Sequence, residues 1–232
     1  MSDNQWIPRT SLGKKVIDGE IKSIDEILAT GKKILEPEIV DYLIADLENE
    51  FLLIGQGKGR FGRGQRRIAR NTQLVTRNGT VMSFGTCVVV GNNDGIVGIG
   101  FGKSRDTNPS KDKAMKGAKL SLIRVKRGCG SWECGCNLPH TVPYLVEGKS
   151  GSTQITLLPA PRGTGLVCHE DVARILKLAG YKDVWMQVKG KTSTRINLIK
   201  ATFDALRKLS YTKVLMNEEG NIVSGPLANS NK

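Results

Sequence analysis

The chain has 232 residues, 39% of them hydrophobic, enough for one large domain or two small ones but leaving part of the length without a core of its own. Thirty-five Lys and Arg against 22 Asp and Glu give a formal charge of +13, which attracts polyanions, either nucleic acid or an anionic membrane. No apolar run approaches the roughly 20 residues of a membrane span, and the N-terminus lacks the apolar centre of a signal peptide, so the sequence predicts a cytoplasmic protein with no membrane partner.

Residues 1–54 read as a helical N-terminal extension. Ser23 and Glu26 form a capping box before Ile27 and Leu28. Pro37 suits a first helical position, and Ile39, Leu43 and Leu47 recur every fourth residue. From Glu36 to Ile54 there are six acids and no base. That stretch is either a solvated face or a handle for a basic protein. Residues 55–65 reverse the sign in a flexible Gly/Arg segment. Arg60 and Arg63 within it, with Arg66, Arg67 and Arg70 beyond, predict a stretch that is disordered alone and orders by laying arginines on phosphates. A solubilising linker is the plainer reading.

Residues 66–128 read as strand, strand, strand, helix. Gln73–Thr76 and Met82–Val90 flank Asn78-Gly79, a hairpin signal, and Ile96–Phe101 follows a second turn. Glycines 98, 100 and 102 leave one face of that third strand bare, which permits close approach of another backbone. Pro109 opens a helix with Ala114, Met115, Ala118 and Leu122 as its apolar stripe. Between Lys103 and Arg127 there are nine bases and two acids. Three antiparallel strands and a basic helix is the arrangement by which double-stranded-RNA-binding domains read shape.

Residues 129–140 form a Cys/His loop, Cys-x4-Cys-x-Cys-x3-His. Cys129, Cys134, Cys136 and His140 can close a tetrahedral zinc site with no open position for water, hence structural. Reduced thiols packed on RNA and a disulfide are the alternatives. Cys87 and Cys168 read as small core residues. Residues 141–214 read as a C-terminal α/β domain: an edge strand from Thr141 through Pro143 toward Val146, a strand at Gln154–Leu158, a helix marked by Val172, Ile175, Leu176 and Ala179 and ended by Gly180, a strand at Val184–Val188, and a last helix through Ile196, Ile199, Phe203 and Leu206 capped by Ser193 or Thr194. Residues 215–232 are a polar, loose tail.

Three glycine loops suggest nucleotide sites and fail on spacing. Gly102-Lys103-Ser104 would need glycine at Val97, and Gly190-Lys191-Thr192 at Trp185. Pro159–Leu166 resembles the phosphate loop of GHMP-type small-molecule kinases but carries Arg162 and lacks its serine-rich continuation. The zinc deaminase signature is absent. The sequence thus points away from an enzyme and toward RNA. Lys111, Lys116, Arg124, Lys126 and Arg127 lead as backbone contacts; Lys103, Arg105, Arg162, Lys189 and Lys191 accompany them. Each taken singly also reads as a solvated surface charge.

Specific motifs then carry a resemblance. Trp6-Ile7-Pro8-Arg9-Thr10, the run Ile34 to Asp41, Val88-Val89-Val90-Gly91-Asn92, the run Ile123 to Cys134, Pro159-Ala160-Pro161-Arg162-Gly163 and Lys200 to Leu206 occur in order. On these the chain closely resembles small-subunit ribosomal protein S-five in its archaeal form, over about residues 5 to 214, and departs from the pattern at Gly55–Gln65. The resemblance implies an α+β fold: a double-stranded-RNA-binding-like domain, then an α/β domain with a left-handed β-α-β crossover. It implies a structural role in the small ribosomal subunit, with ribosomal RNA, ribosomal proteins S-four and S-eight and messenger RNA near its entrance as partners, and contributions to subunit assembly and decoding accuracy. A free-standing regulatory RNA-binding protein and a small-molecule kinase are the rival readings.

Overall fold

The computed structural model describes residues 6–57, 59, 66–136, 138–212, 214–216 and 222–226. Three short helices, α1 (Ser11–Ile17), α2 (Ile24–Thr30) and α3 (Glu38–Leu43), precede the first strand, β1 (Glu48–Phe51). The Ser23 hydroxyl donates to the Glu26 carboxylate at 2.8 Å and makes no bond to a helix amide, so the two side chains pair with each other in place of the amide bonds of the expected capping box. Helix α3 stops at Leu43, and the chain beyond it becomes β1 where the four-residue spacing predicted more helix. Strand pairing with a long partner overrides local periodicity there. Several acids of this stretch are engaged within the chain. Asp41 pairs with Lys119 at 2.6 Å, Glu50 faces Arg174 at 3.6 Å, and Glu36 accepts the Arg9 and Thr10 amides at 2.9 and 2.6 Å.

That partner is β3 (Gly79–Gly91), which pairs along its first half with β2 (Arg70–Thr76) and along its second with β1. Strands β4 (Ile96–Ser104) and β5 (Leu122–Arg124) complete an antiparallel sheet in the order β1-β3-β4-β5. Helix α4 (Thr107–Leu120) lies between β4 and β5 in the chain and begins two residues before Pro109. Strand alternation assigns the two faces of β3 and β4. Val88 and Val90 pack with Ala114 and Ala118 of α4, whereas Cys87, Val89, Val97 and Ile99 face the second half of the molecule. The expected bare glycine face is occupied by α4 itself. A Cβ on Gly100 would sit 1.9 Å from the Ala114 carbonyl oxygen, and one on Gly98 would sit 2.3 Å from that of Ala118. Ser110 stitches the contact, its hydroxyl within 3.0 Å of the Phe84 and Gly102 carbonyls and the Thr86 hydroxyl.

The second half is a sheet ordered β6-β7-β9-β8, built from β6 (Val146–Ser150), β7 (Thr153–Pro159), β8 (Leu166–Val167) and β9 (Val184–Lys189). Helix α5 (Glu170–Leu178) crosses over between the parallel pair β8 and β9, and α6 (Arg195–Tyr211) covers β6 and β7. The edge position expected for the first strand holds, but that strand starts after Pro143. Thr141 makes only a single antiparallel bridge, to Gly128. A hairpin of β10 (Val214–Met216) and β11 (Ile222–Pro226) stands in part of the expected loose tail. No helix of the described residues is long and apolar enough to cross a membrane.

One core joins the halves: Val89, Val97 and Ile99 from the first sheet contact a cluster that includes Val172, Ile175 and Leu176 of α5. A buried carboxylate reinforces it. Asp171 accepts the Leu53 amide at 3.2 Å and an Arg195 N–H at 2.8 Å, tying the end of β1 to α5 and α6. Overpacking of such a contact typically costs about 1–3 kcal/mol. Gly100→Ala should therefore lower the unfolding free energy by roughly 2–3 kcal/mol, whereas Gly85→Ala, whose Cβ would meet nothing closer than 3.9 Å, should change it by less than about 0.5 kcal/mol. Urea unfolding of both variants, read as a midpoint shift at constant slope, checks the pair.

Candidate metal centre and nucleic-acid interface

The Cys/His loop leaves β5 through Val125 and is closed at its base by reciprocal amide–carbonyl bonds of 3.0 Å between Gly128 and Thr141. Gly130 lies so close to Pro143 that a Cβ there would sit 2.0 Å from its carbonyl oxygen. The close approach needs glycine and pins the loop to the second half. Within it one ligand atom each from Cys129, Cys134, Cys136 and His140 falls within 4.8 Å of the others, so this group can hold a metal ion. The Cys134 Sγ is 3.0 Å from Cys136 Sγ and 3.7 Å from His140 Nε2, and Cys136 Sγ is 3.6 Å from Cys129 Sγ. The short Cys-x-Cys spacing therefore brings all three sulfurs to one point.

A feature that spacing could not reveal lies behind the histidine. His140 is 5% exposed, and its Nδ1 stands 2.8 Å from Asp183 Oδ2, itself on a residue 4% exposed. The other oxygen of Asp183 accepts the amides of Gly163 and Gly165 at 3.1 and 2.8 Å. The carboxylate fixes the ring so that Nε2 faces the thiols, the arrangement that raises the basicity of a metal-bound imidazole. The glycine loop that resembled a kinase phosphate loop spends these amides on Asp183, and Gly163 and Gly165 adopt φ of 90° and 75° to aim them. The signal for Asp183 was the lone Asp after Tyr181-Lys182, which carries nothing distinctive in sequence.

The thiols differ in acidity. Hydrogen bonds from Cys136 and from the Arg162 and Cys136 amides draw Cys134 down to about 6, whereas burial and the neighbouring thiols push Cys129 up to about 11. Holding all three sulfurs as thiolates this close together would require a cation between them. The remaining cysteines differ in kind. Cys87 is fully buried and its thiol is pushed far up by burial; Cys168 is pushed up to about 11 by burial, as inert core thiols are.

The basic residues fall into groups. Lys103, Arg105 and Lys116 are exposed on β4, the turn after it and α4, and Lys111 lies 5.5 Å above the Phe51 ring. Arg162, Lys189 and Lys191 are exposed on the second half. Arg66, Arg67 and Arg70 lead into β2, with Arg66 bridged to Gly57 and the Arg67 carbonyl accepting the Gly55 amide at 2.8 Å. Arg60 and Arg63 lie outside the described residues. Arg124, Lys126 and Arg127 are engaged within the chain: Arg124 pairs with Asp25, Arg127 with Asp94, and Lys126 Nζ donates to the Thr212 carbonyl at 2.5 Å. These three line a cleft of about 1280 Å³ between the N-terminal extension, β5 and the end of α6. Sequence reading missed Lys32, Lys33 and Arg207, which also line it. For the two lysines the signal was Gly31, whose φ of 70° ends α2 just before them.

A basic α+β chain with a compact cysteine–histidine cluster and exposed cations on both halves defines a nucleic-acid-binding class of protein. Comparisons narrow it. The profile described as ribosomal protein S5, N-terminal domain, matches residues 67–126, and that of the C-terminal domain matches residues 148–219. The chain is 46% identical over 210 residues to the small ribosomal subunit protein uS5 of Nanoarchaeum equitans, covering 90% of each chain. It is 48% identical over 211 residues to that of Methanospirillum hungatei, covering 91% of this chain and 96% of that one, and 44% identical over 212 residues to that of Methanocaldococcus jannaschii, covering 91% of each. The chain belongs to the uS5 family of small-subunit ribosomal proteins.

Partners behind a metal-bound histidine are typically worth about 10–100-fold in metal affinity. Asp183→Ala should weaken divalent-metal binding by about that factor without removing any of the four ligands, as read by competition with a chromophoric chelator.

Proposed function

We propose that this chain is a non-catalytic structural constituent of the small ribosomal subunit that binds small-subunit ribosomal RNA. The observation that carries this reading is the extent of the similarity: 44–48% identity over about nine-tenths of the chain to proteins named for that subunit. The exposed cations agree with it. On this reading β2, β3, β4 and α4 act as the double-stranded-RNA-binding-like unit, and the crossover through α5 has the left-handed sense of the family. Ribosomal proteins S-four and S-eight are its neighbours, and messenger RNA passes nearby at the subunit's entrance, where the chain contributes to assembly and decoding accuracy. Sucrose-gradient fractionation separates this from a free-standing regulator. The chain should sediment with small subunits, and a predominantly soluble pool would overturn the proposal.

Lys103, Arg105, Lys111 and Lys116 form one RNA-facing set, and Arg162, Lys189 and Lys191 a second; Arg66, Arg67 and Arg70, with Arg60 and Arg63, complete it. Arg124, Lys126 and Arg127 serve two ends, bracing the cleft and offering charge to it. Removing one phosphate-bound cation flattens the dependence of log affinity on log salt by roughly one unit. Replacing Lys103, Arg105 and Lys116 with Ala should flatten it by about two to three units, measured by RNA binding at several salt concentrations.

The metal is a zinc ion held by Cys129, Cys134, Cys136 and His140. Soft thiolates with one imidazole suit zinc, and four protein ligands make the site structural. When bound, the ion neutralises the thiolates and adds folding energy to a loop with little core of its own. The protein's part is the close approach at Gly130 and the orienting Asp183. Elemental analysis of the isolated protein should give near-stoichiometric zinc, lost in a Cys129→Ser and Cys134→Ser variant whose melting temperature falls. Metal-free protein that still unfolds cooperatively, with its thiols reduced or bridged, would end the zinc reading.

A further inference from the structure

Two aromatic side chains stand out in water. Trp132 is 92% exposed at the tip of the Cys/His loop, and Tyr211 is 76% exposed at the last residue of α6. Both forgo the burial that large aromatic groups ordinarily make. Neither sits on a slack stretch of chain. Trp132 lies between Ser131, which is buried, and Cys134, whose amide bonds the Ser131 carbonyl at 3.3 Å; Gly130, just before, is wedged against Pro143. Tyr211 follows Leu206 and Leu209, both fully buried, and the next carbonyl, of Thr212, is held by Lys126 Nζ.

The surroundings are cationic. Tyr211 lines the cleft together with Lys32, Lys33 and Arg207, all exposed. The loop that carries Trp132 contributes Pro139 to the same cleft, and exposed Arg162 and Lys182 flank the loop, their amides bonded to Cys134 and to the His140 carbonyl. Rigid aromatic faces among cations suit unpaired nucleotides, whose bases stack while the cations hold the backbone. A duplex offers no free base face, and an apolar protein partner does not call for the positive charge.

We infer that Tyr211, in this cleft, and Trp132, on the Cys/His loop that reaches the cleft through Pro139, are stacking platforms for unpaired bases of RNA, a part distinct from the shape-reading face of β4 and α4. The inference rests on the ribosomal RNA reading above. Small subunits stripped of their native copy by washing in concentrated salt, then offered the full-length chain, provide the test. Stacking is worth enough per base that Trp132→Ala and Tyr211→Ala should each weaken rebinding about fivefold or more, with the salt slope unchanged because every phosphate-bound cation is retained. Trp132→Phe and Tyr211→Phe should rebind within about twofold of the parent chain. Tyr42→Ala, exposed on α3 and not among the residues that line the cleft, should match the parent. Ultraviolet irradiation should attach nucleotides to the peptides that contain Trp132 and Tyr211. Alanine variants that rebind like the parent, or crosslinks to protein in place of nucleotides, would overturn the inference and leave the ribosomal reading standing. A parent chain that fails to rebind would overturn both.

Discussion

The relation between the two halves rests on one backbone contact. The turn after β3 lies directly against the end of α5, where the Asn93 amide donates to the Leu178 carbonyl at 3.0 Å. Two glycines permit it: a Cβ on Gly91 would fall 2.5 Å from the Leu178 oxygen, and one on Gly180 would fall 2.3 Å from that of Asn93. With that distance fixed, α5 settles its apolar face on Cys87, Val89, Val97 and Ile99, and the buried Asp171 reaches both Leu53 and Arg195. The two larger sheets thereby share one interior. Arg127 lies along the same seam, its guanidinium toward the Asn93 carbonyl and Asp94, while the Tyr181 hydroxyl donates to the Lys126 carbonyl at 2.8 Å.

Charge along the chain is arranged against that body in an ordered way. Acids of the N-terminal extension neutralise the bases nearest to them, as in Asp41 with Lys119 and Asp25 with Arg124. Such exposed pairs are worth about 0–1 kcal/mol each, so their effect is to place the extension more than to stabilise it. The surplus positive charge is left on β4, α4, the loops of the second half and the rim of the cleft. A polyanion therefore meets a surface on which many cations have no carboxylate partner among the described residues.

Periodicity read well wherever one element supplied its own pattern. The hairpin at Asn78-Gly79, the apolar stripe of α5 closed by Gly180 and the long α6 were all legible, because turn chemistry and the spacing of apolar residues are local properties. The glycines at 98, 100 and 102 announced a close approach but not which backbone would come. The strands β1, β5 and β8 were not legible: four, three and two residues long, they exist only because a neighbouring strand completes their hydrogen bonds. At the site the four candidate ligands were evident from their spacing. Asp183 was not, because it comes from 43 residues downstream of His140 and its role depends on the tertiary position of Gly163 and Gly165. The engagement of Arg124, Lys126 and Arg127 was hidden for the same reason.

That distance in sequence has a consequence for how the molecule is made. The three thiols and the imidazole emerge from the ribosome together, within twelve residues of one another, whereas the carboxylate that orients the imidazole and the glycine amides that hold the carboxylate follow later. Domains form in the order of synthesis. During that interval the histidine ring is free to turn either nitrogen toward the sulfurs. The orientation of the imidazole therefore depends on residues made after the cluster itself. The chain's own translation sets the moment at which this corner of the fold becomes permanent.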